Sequence, residues 1–221
     1  MKLIPTFLIA PLLMLACSCS DDDFGPAAQL CETIVSFAGN SGDKALFEYQ
    51  AIDDSPVVTL TVAGNLKGDV RPGTRLLMRY RLPSTSNPAE SAEVELLGLR
   101  HILTDTVTTA PLPDRTEQLT PIYLLTIQRS GQWIDLGTRM PQTRKRSLRI
   151  TTSGATDAGG IADLWLDAEI DDTDPTYNSP TQGSVWIGPV WGRSDVRGVR
   201  IHVNNSNNIY RKEFTFLKKE S

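Results

Sequence analysis

The chain is expected to be all-β, with two β domains in series behind an export segment. Three observations predict this. Val, Ile, Leu and Thr recur with polar residues at every second position, the period of a half-buried strand. Clusters of Gly, Pro, Asn and Asp separate these runs at short intervals. No long stretch keeps apolar residues at helical spacing. The expected order is a signal peptide over 1–18, a tether over 19–32, a small barrel over 33–104, a linker over 105–120 and a β-sandwich over 121–221.

Met1-Lys2 gives a short positive end, and residues 3–16 are apolar apart from Pro5, Thr6 and Pro11. The run falls short of the about 20 apolar residues a permanent span needs. A charged start, a short apolar region and small residues at its end describe a secretory signal. In place of an A-x-A site stands Ala16-Cys17-Ser18-Cys19, and a lipoprotein signal peptidase cuts before a cysteine already carrying a diacylglycerol thioether. Cys19 is the expected lipid attachment, followed by Ser20, Asp21, Asp22 and Asp23. That tail is similar to the serine-plus-acidic surface-export signal of Bacteroidota lipoproteins. Cys17, preceded by Leu15-Ala16, is the alternative attachment site. Each buried methylene contributes about 0.8 kcal/mol, so two or three acyl chains hold a domain on a membrane with no spanning helix. Anionic lipid repels the aspartates and keeps the tether solvated. The expected location is the outer membrane, lipid-anchored and exposed at the cell surface.

A formal charge of −4 argues against nucleic acid as the main partner, because phosphate binding needs a clustered basic surface. Of three cysteines, Cys31 is the only one in the body, so no internal disulfide framework is available despite export. Cys31 is expected to be a small buried apolar residue.

The barrel strands are expected at 33–38, 45–50, 57–63, 75–82 and 92–103. In 57–63, Val58, Leu60 and Val62 share one face and Thr59 and Thr61 the other. In 75–82, Leu76, Met78, Tyr80 and Leu82 point inward and Arg75, Arg79 and Arg81 outward. Those arginines form either a basic stripe or a solvated face paired with Glu93 and Glu95. Gly98 sits where a small barrel bends a strand. Five short strands in so few residues suit an OB-like barrel.

Pro111 and Pro113, among threonines and charges, mark the linker. The sandwich then begins with 122–127, a continuous apolar run expected as a central strand buried on both faces. Strands are expected at 133–136, 148–152, 161–170, 184–190, 198–203 and 210–217, the last two joined by the turn-forming asparagines of 204–208.

Candidate sites are few. His101 and His202 lie far apart in sequence, and no G-x-S-x-G, H-E-x-x-H or Cys-x-x-Cys pattern occurs, so no enzyme is expected. No cofactor or metal motif is legible. The oxygen donors of 171–178 have calcium-like alternation, but Tyr177 stands where an EF-hand loop needs glycine, and an acidic turn is the expected reading. Arg144, Lys145 and Arg146 sit in a basic run that is an anion or glycan site or a solvated loop. All four tryptophans follow the linker. Trp165 shares a strand face with Asp163, Asp167 and Glu169, where it stacks on a sugar, anchors a protein partner or is covered by another layer.

The acidic-tailed lipoprotein signal, the barrel segments GTRLLMRYRL and AEVELLGLRHILT, the linker and PIYLLTIQRSGQWIDLG together resemble the NigD-like lipoproteins of Bacteroidota. The resemblance implies an N-terminal OB-like domain and a C-terminal β-sandwich over nearly the whole mature chain. Gln132-Trp133-Ile134-Asp135 matches the family's tryptophan-glycine segment in part, with aspartate in place of glycine. The resemblance implies no catalytic residues, and the family's name comes from a bacteriocin locus with a suggested immunity role. The function expected is a surface-anchored, non-catalytic binding lipoprotein, immunity-like, with an unknown protein partner. The alternative is a glycan-binding accessory lipoprotein using tryptophans of the second domain.

Overall fold

The structure, a computed structural model, describes residues 28–68, 70–83, 91–141, 146–170 and 178–219. Cys17, Cys19, Ser20, Asp21, Asp22, Asp23, Arg144, Lys145 and the acidic segment 171–177 lie outside the described residues.

Five strands close the first barrel: β1 (Gln29–Ser41), β2 (Lys44–Tyr49), β3 (Val58–Ala63), β4 (Arg75–Leu82) and β5 (Ser91–His101). Their order is β1-β2-β3-β5-β4, with β4 returning to β1 and only β3 and β5 pairing in parallel. The inward set is the alternation legible in the sequence: Val35, Phe47, Leu60, Leu76 and Met78 are buried in one core. β1 bends at Gly39, whose φ of 124° admits no side chain without strain. β5 slips register opposite Arg79 and Tyr80, where Gly98 and Leu96 are the partners and Leu97 is skipped. That is the bend expected at Gly98. β1 starts earlier than expected, so Cys31 is a half-buried member of a strand, packed against the barrel core, and not part of a tether.

The second domain packs two sheets face to face. One has the order β6-β12-β9-β8 and comprises β6 (Leu103–Thr106), β8 (Tyr123–Ser130), β9 (Trp133–Pro141) and β12 (Asn178–Trp186). The other has the order β14-β13-β11-β10-β7 and comprises β7 (Thr108–Thr109), β10 (Arg146–Thr156), β11 (Ile161–Ile170), β13 (Gly198–Val203) and β14 (Glu213–Leu217). Ile134, Leu136, Ile150, Leu164, Leu166 and Val185 are fully buried between them.

Three further expectations are corrected. The stretch 105–120 is not simply a linker. β6 pairs in parallel with β12, the chain crosses the core at buried Val107, and β7 pairs in parallel with β10. The segment thus stitches both sheets together, and a 3-10 turn at Thr116–Gln118 follows. Its threonine-rich sequence buries only Val107 and, twelve residues on, Leu119, so hydrophobic periodicity does not reveal it. β8 is an edge strand and not a central one, with Tyr123 and Leu125 exposed. The asparagine segment covers part of that edge: Asn205 accepts from the Leu124 N–H at 3.4 Å, and the Asn207 amide donates to the Leu124 carbonyl at 2.7 Å. The 184–190 segment also divides, β12 ending at Trp186 and a single helical turn, α1 (Gly188–Trp191), following.

The barrel rests on the outer face of the β6-β12-β9-β8 sheet, making three layers. That face carries Asp135 on β9 and Ser184 on β12, which meet Arg75 of β4, and Ser130 on β8, which donates to Asp135.

Candidate functional site

The junction is built on two buried arginines. Arg75 opens β4, and its side chain is only 4% exposed. Its Nη2 meets Asp135 Oδ1 at 2.5 Å, Nε donates to Ser184 Oγ at 3.1 Å, and Nη1 donates to Ser36 Oγ on the neighbouring β1 at 3.2 Å. Asp135 is completed by hydroxyl donors, Ser184 to Oδ1 and Ser130 to Oδ2, both at 2.5 Å. A charge taken out of water needs its lone pairs and protons satisfied, and this network satisfies them. The guanidinium also lies over the Trp133 ring, 5.0 Å from its centroid. Arg75 was expected to point outward with Arg79 and Arg81. It does lie on the barrel's outer face, but the sandwich covers that face and leaves the side chain almost entirely buried.

Arg129, on β8, is the second lock. Its side chain is 1% exposed and grips Asp54 of the β2–β3 loop with two hydrogen bonds of 2.8 Å. Asp53 lies 3.4 Å away, and the Gly131 carbonyl accepts a third bond at 2.8 Å. The Trp191 ring backs the guanidinium at 4.4 Å. The hydrogen bonds from Arg129 hold the Asp54 carboxyl below its ordinary range. Backbone bonds clamp the same loop: the Asp53 N–H donates to the Arg129 carbonyl at 2.6 Å, and the Gly131 N–H donates to the Asp53 carbonyl at 2.7 Å.

Beside these locks a cleft of about 270 Å³ opens between the domains. Glu48, Gln50 and Val57 line it from the barrel, and Gln132, Trp133 and Trp186 from the sandwich. Trp133 and Trp186 are cross-strand partners on β9 and β12, with ring centroids 6.4 Å apart and tilted by 38°. Trp186 keeps 37% of its surface exposed, yet it is tightly held. A Cβ on Gly188 would come within 2.4 Å of the Trp186 ring, so the indole lies directly against backbone. Glycine is required there for contact, and it fixes an exposed aromatic in place.

Of the site residues expected from sequence, Trp165 and Arg146 are described. Trp165 lies in the layer farthest from the barrel, half-buried on the outer face of β11. His202 stacks on it at 4.5 Å and 17°. The His202 ring nitrogens in turn face Asp163 at 2.7 Å and Glu213 at 3.3 Å, and Arg200 also pairs with Asp163. Arg146 donates to Thr181 Oγ1 at 3.0 Å and Ser179 Oγ at 3.3 Å, serving the β10–β12 contact. His101, cross-strand from Leu76, borders a second groove beside the junction, lined by Thr104 and Asp105 and also by Arg75 and Trp133. The structure does not bring Trp165, Arg146 and the junction tryptophans into one site. The pairing of Trp133 with Trp186 was not legible, because their approach depends on the β9–β12 register. Among the described residues, no three His, Cys, Asp or Glu side chains gather as metal ligands, and no helix is long and apolar enough to cross a membrane.

No protein-family model matches the chain, and no curated protein matches it in sequence. Solved structures do match in fold. A NigD-like immunity protein from Bacteroides caccae aligns with a TM-score of 0.58 at 11% identity, over 89% of this chain and all of that one (100%). A protein of unknown function from Bacteroides vulgatus aligns at 0.58 and 13% identity, over 87% of this chain and 91% of that one. A candidate lipoprotein from Bacteroides fragilis aligns at 0.57 and 11% identity, over 86% and 96%. The barrel-plus-sandwich layout implied by the resemblance is therefore present, and the chain has the fold of the NigD-like immunity protein.

Proposed function

We propose that the protein is a lipid-anchored, non-catalytic binding protein displayed on the outer membrane, and that it takes its ligand in the junction cleft. The observation that carries this reading is Trp186, an exposed aromatic immobilised against Gly188 at the mouth of a cleft between two firmly locked domains. Binding sites favour concave surfaces at domain interfaces with aromatic walls and a few polar groups. Anchoring is supported by the two cysteines and acidic tail of 17–23, and by the lipoprotein description of the B. fragilis structure. Acyl chains on Cys19 would let the folded body stand outside the cell on a short tether.

A photo-crosslinking residue placed at Val57 tests the cleft in intact cells. It should capture a ligand that Trp186→Ala releases, and equal capture by both variants would reject the cleft as the site. Fatty-acid labelling of Cys19→Ala and Cys17→Ala, with protease shaving of intact cells, tests the anchor. Label retained on Cys19→Ala, with unchanged shaving, would move the attachment to Cys17. The B. caccae protein's name suggests immunity as a specific form of binding. Equal killing of parent and gene-deleted cells by bacteriocin would reject it.

A further inference from the structure

We infer that the junction cleft takes a neutral pyranose ring, the terminal sugar of a glycan; this rests on the cleft being the binding site. Three features of its wall select that chemistry. The first is the Trp186 face. An aromatic ring is electron-rich on its face, so it attracts the weakly positive C–H groups that a pyranose presents on one side. The platform is pre-organised, since Gly188 beneath it and Trp133 beside it leave the indole little freedom, and ordering costs on binding are correspondingly small.

The second feature is a pair of exposed polar groups that the protein itself leaves available. Among the described residues, the side chains of Glu48 and Gln132 have no hydrogen-bond partner, and both line the cleft. A carboxylate offers acceptors only, and a primary amide offers both donors and an acceptor. Together they match the paired donor and acceptor character of adjacent sugar hydroxyls. Val57, 48% exposed, adds an apolar patch on the opposite wall.

The third feature is charge. Arg75 borders the cleft, but Asp135 occupies its guanidinium at 2.5 Å, so its charge is already compensated. Among the described residues of the lining, Glu48 is then the one uncompensated ionic group, and it is negative. A uronic or sialic acid would bring a second carboxylate beside it without a counter-charge, whereas a neutral ring accepts its hydrogen bonds freely. At about 270 Å³ the cleft is slightly smaller than the roughly 300–1,000 Å³ of drug-sized sites, which suits one ring and not an extended chain.

The test is an NMR titration of the full-length protein in detergent, following the indole N–H signal of Trp186. Probes are methyl β-glucoside, methyl β-galactoside, methyl α-mannoside and methyl β-glucuronide. At least one neutral glycoside should shift the Trp186 signal, with the glucuronide about tenfold weaker, the size of one charge-assisted hydrogen bond. Read in the variants through the Trp133 indole and Gln132 amide signals of the same cleft, Trp186→Ala should weaken binding about tenfold or more, Trp186→Phe should keep part of it, and Glu48→Gln should bring the glucuronide closer to the neutral sugars. No shift with any neutral glycoside, or a glucuronide that binds as tightly as they do, overturns the inference. In that event, ligand capture at Val57 that depends on Trp186 would leave the cleft as a binding site for something other than sugar. Absence of both would remove the cleft itself.

Discussion

Arg75 and Arg81 stand on the same face of β4, six residues apart, and their surroundings have little in common. Arg81 pairs with Glu95 at 3.2 Å, with the two side chains 52% and 61% exposed. Arg75 pairs with Asp135 at 2.5 Å, with 4% and 6% exposed. The first pair joins neighbouring strands of one barrel, and the second joins two domains. Alternation along β4 determines which face a side chain takes, but not what lies against that face. The energetic meaning of an ion pair depends on the covering layer, because water screens the exposed pair and is absent from the buried one.

The comparison is broken most forcefully at Asp135. Asp135→Ala strands the Arg75 guanidinium in a dry junction, and removal of one partner from a buried pair costs about 3–5 kcal/mol. Urea denaturation should show a midpoint lowered accordingly. The double variant Arg75→Met with Asp135→Leu sharpens the point. It leaves no orphaned charge and should recover most of the loss, as apolar replacements of whole buried pairs do. If Asp135→Ala unfolds like the parent, the junction is wetter than the structure implies.

Arg129 and Asp54 form the intermediate case, with the arginine 1% exposed and the acid 41%. Asp54→Ala should cost about 1–2 kcal/mol, less than the buried pair because solvent screens the acid and Gly131 still accepts from Arg129. Acid stability tests the same contact. The Asp54 carboxyl is depressed in the folded state, chiefly by the Arg129 hydrogen bonds. Its contribution is therefore present above the ordinary carboxylate pKa of about 3.9 and is lost as pH falls through the lower folded value. Asp54→Asn should lower stability near neutrality and flatten the acid limb, so that the curves of variant and parent converge as pH falls. Part of the slope should survive, since the Ile161 backbone N–H holds Asp157 low and Arg193 holds Asp195 low. An unchanged acid limb would mean that Asp54 is equally low in the unfolded chain.

The same contrast explains what was legible in the sequence. The barrel strands and the bend at Gly98 follow from period-two patterning and turn residues, because each strand has one apolar and one polar face. The crossing strands β6 and β7 did not show, since backbone pairing with β12 and β10 holds them and their core contacts are few, chiefly Val107 with half-buried Leu103 beside it. The edge position of β8 was hidden because Tyr123 and Leu125 are apolar but exposed. The junction left one faint signal. Leu77 is the lone apolar residue on the arginine face of β4, and it is only 6% exposed. Its presence between Arg75 and Arg79 marks where cover begins. The two junction tryptophans, Trp133 and Trp186, lie 53 positions apart in the chain, and only the strand register brings them together. Trp165, the more conspicuous in sequence, sits in the opposite layer against His202.

At the exposed end of β4 the expected effect is the smallest. Glu95→Ala removes the Arg81 partner, yet both groups are already hydrated and both side chains lose freedom by pairing. Measured surface pairs contribute about 0–1 kcal/mol, so the denaturation midpoint should shift by no more than about 0.5 kcal/mol in equivalent stability. Salt separates this pair from the junction. Screening acts on exposed charges beyond a Debye length of about 3 Å at 1 M ionic strength, so whatever Glu95 contributes should vanish in 1 M sodium chloride. The penalty of Asp135→Ala should be far less salt-sensitive, because the Arg75 side chain is only 4% exposed. A salt-sensitive Asp135 and a salt-insensitive Glu95 would invert the assignment of buried and exposed ends along this one strand, and with it the placement of the sandwich over Arg75.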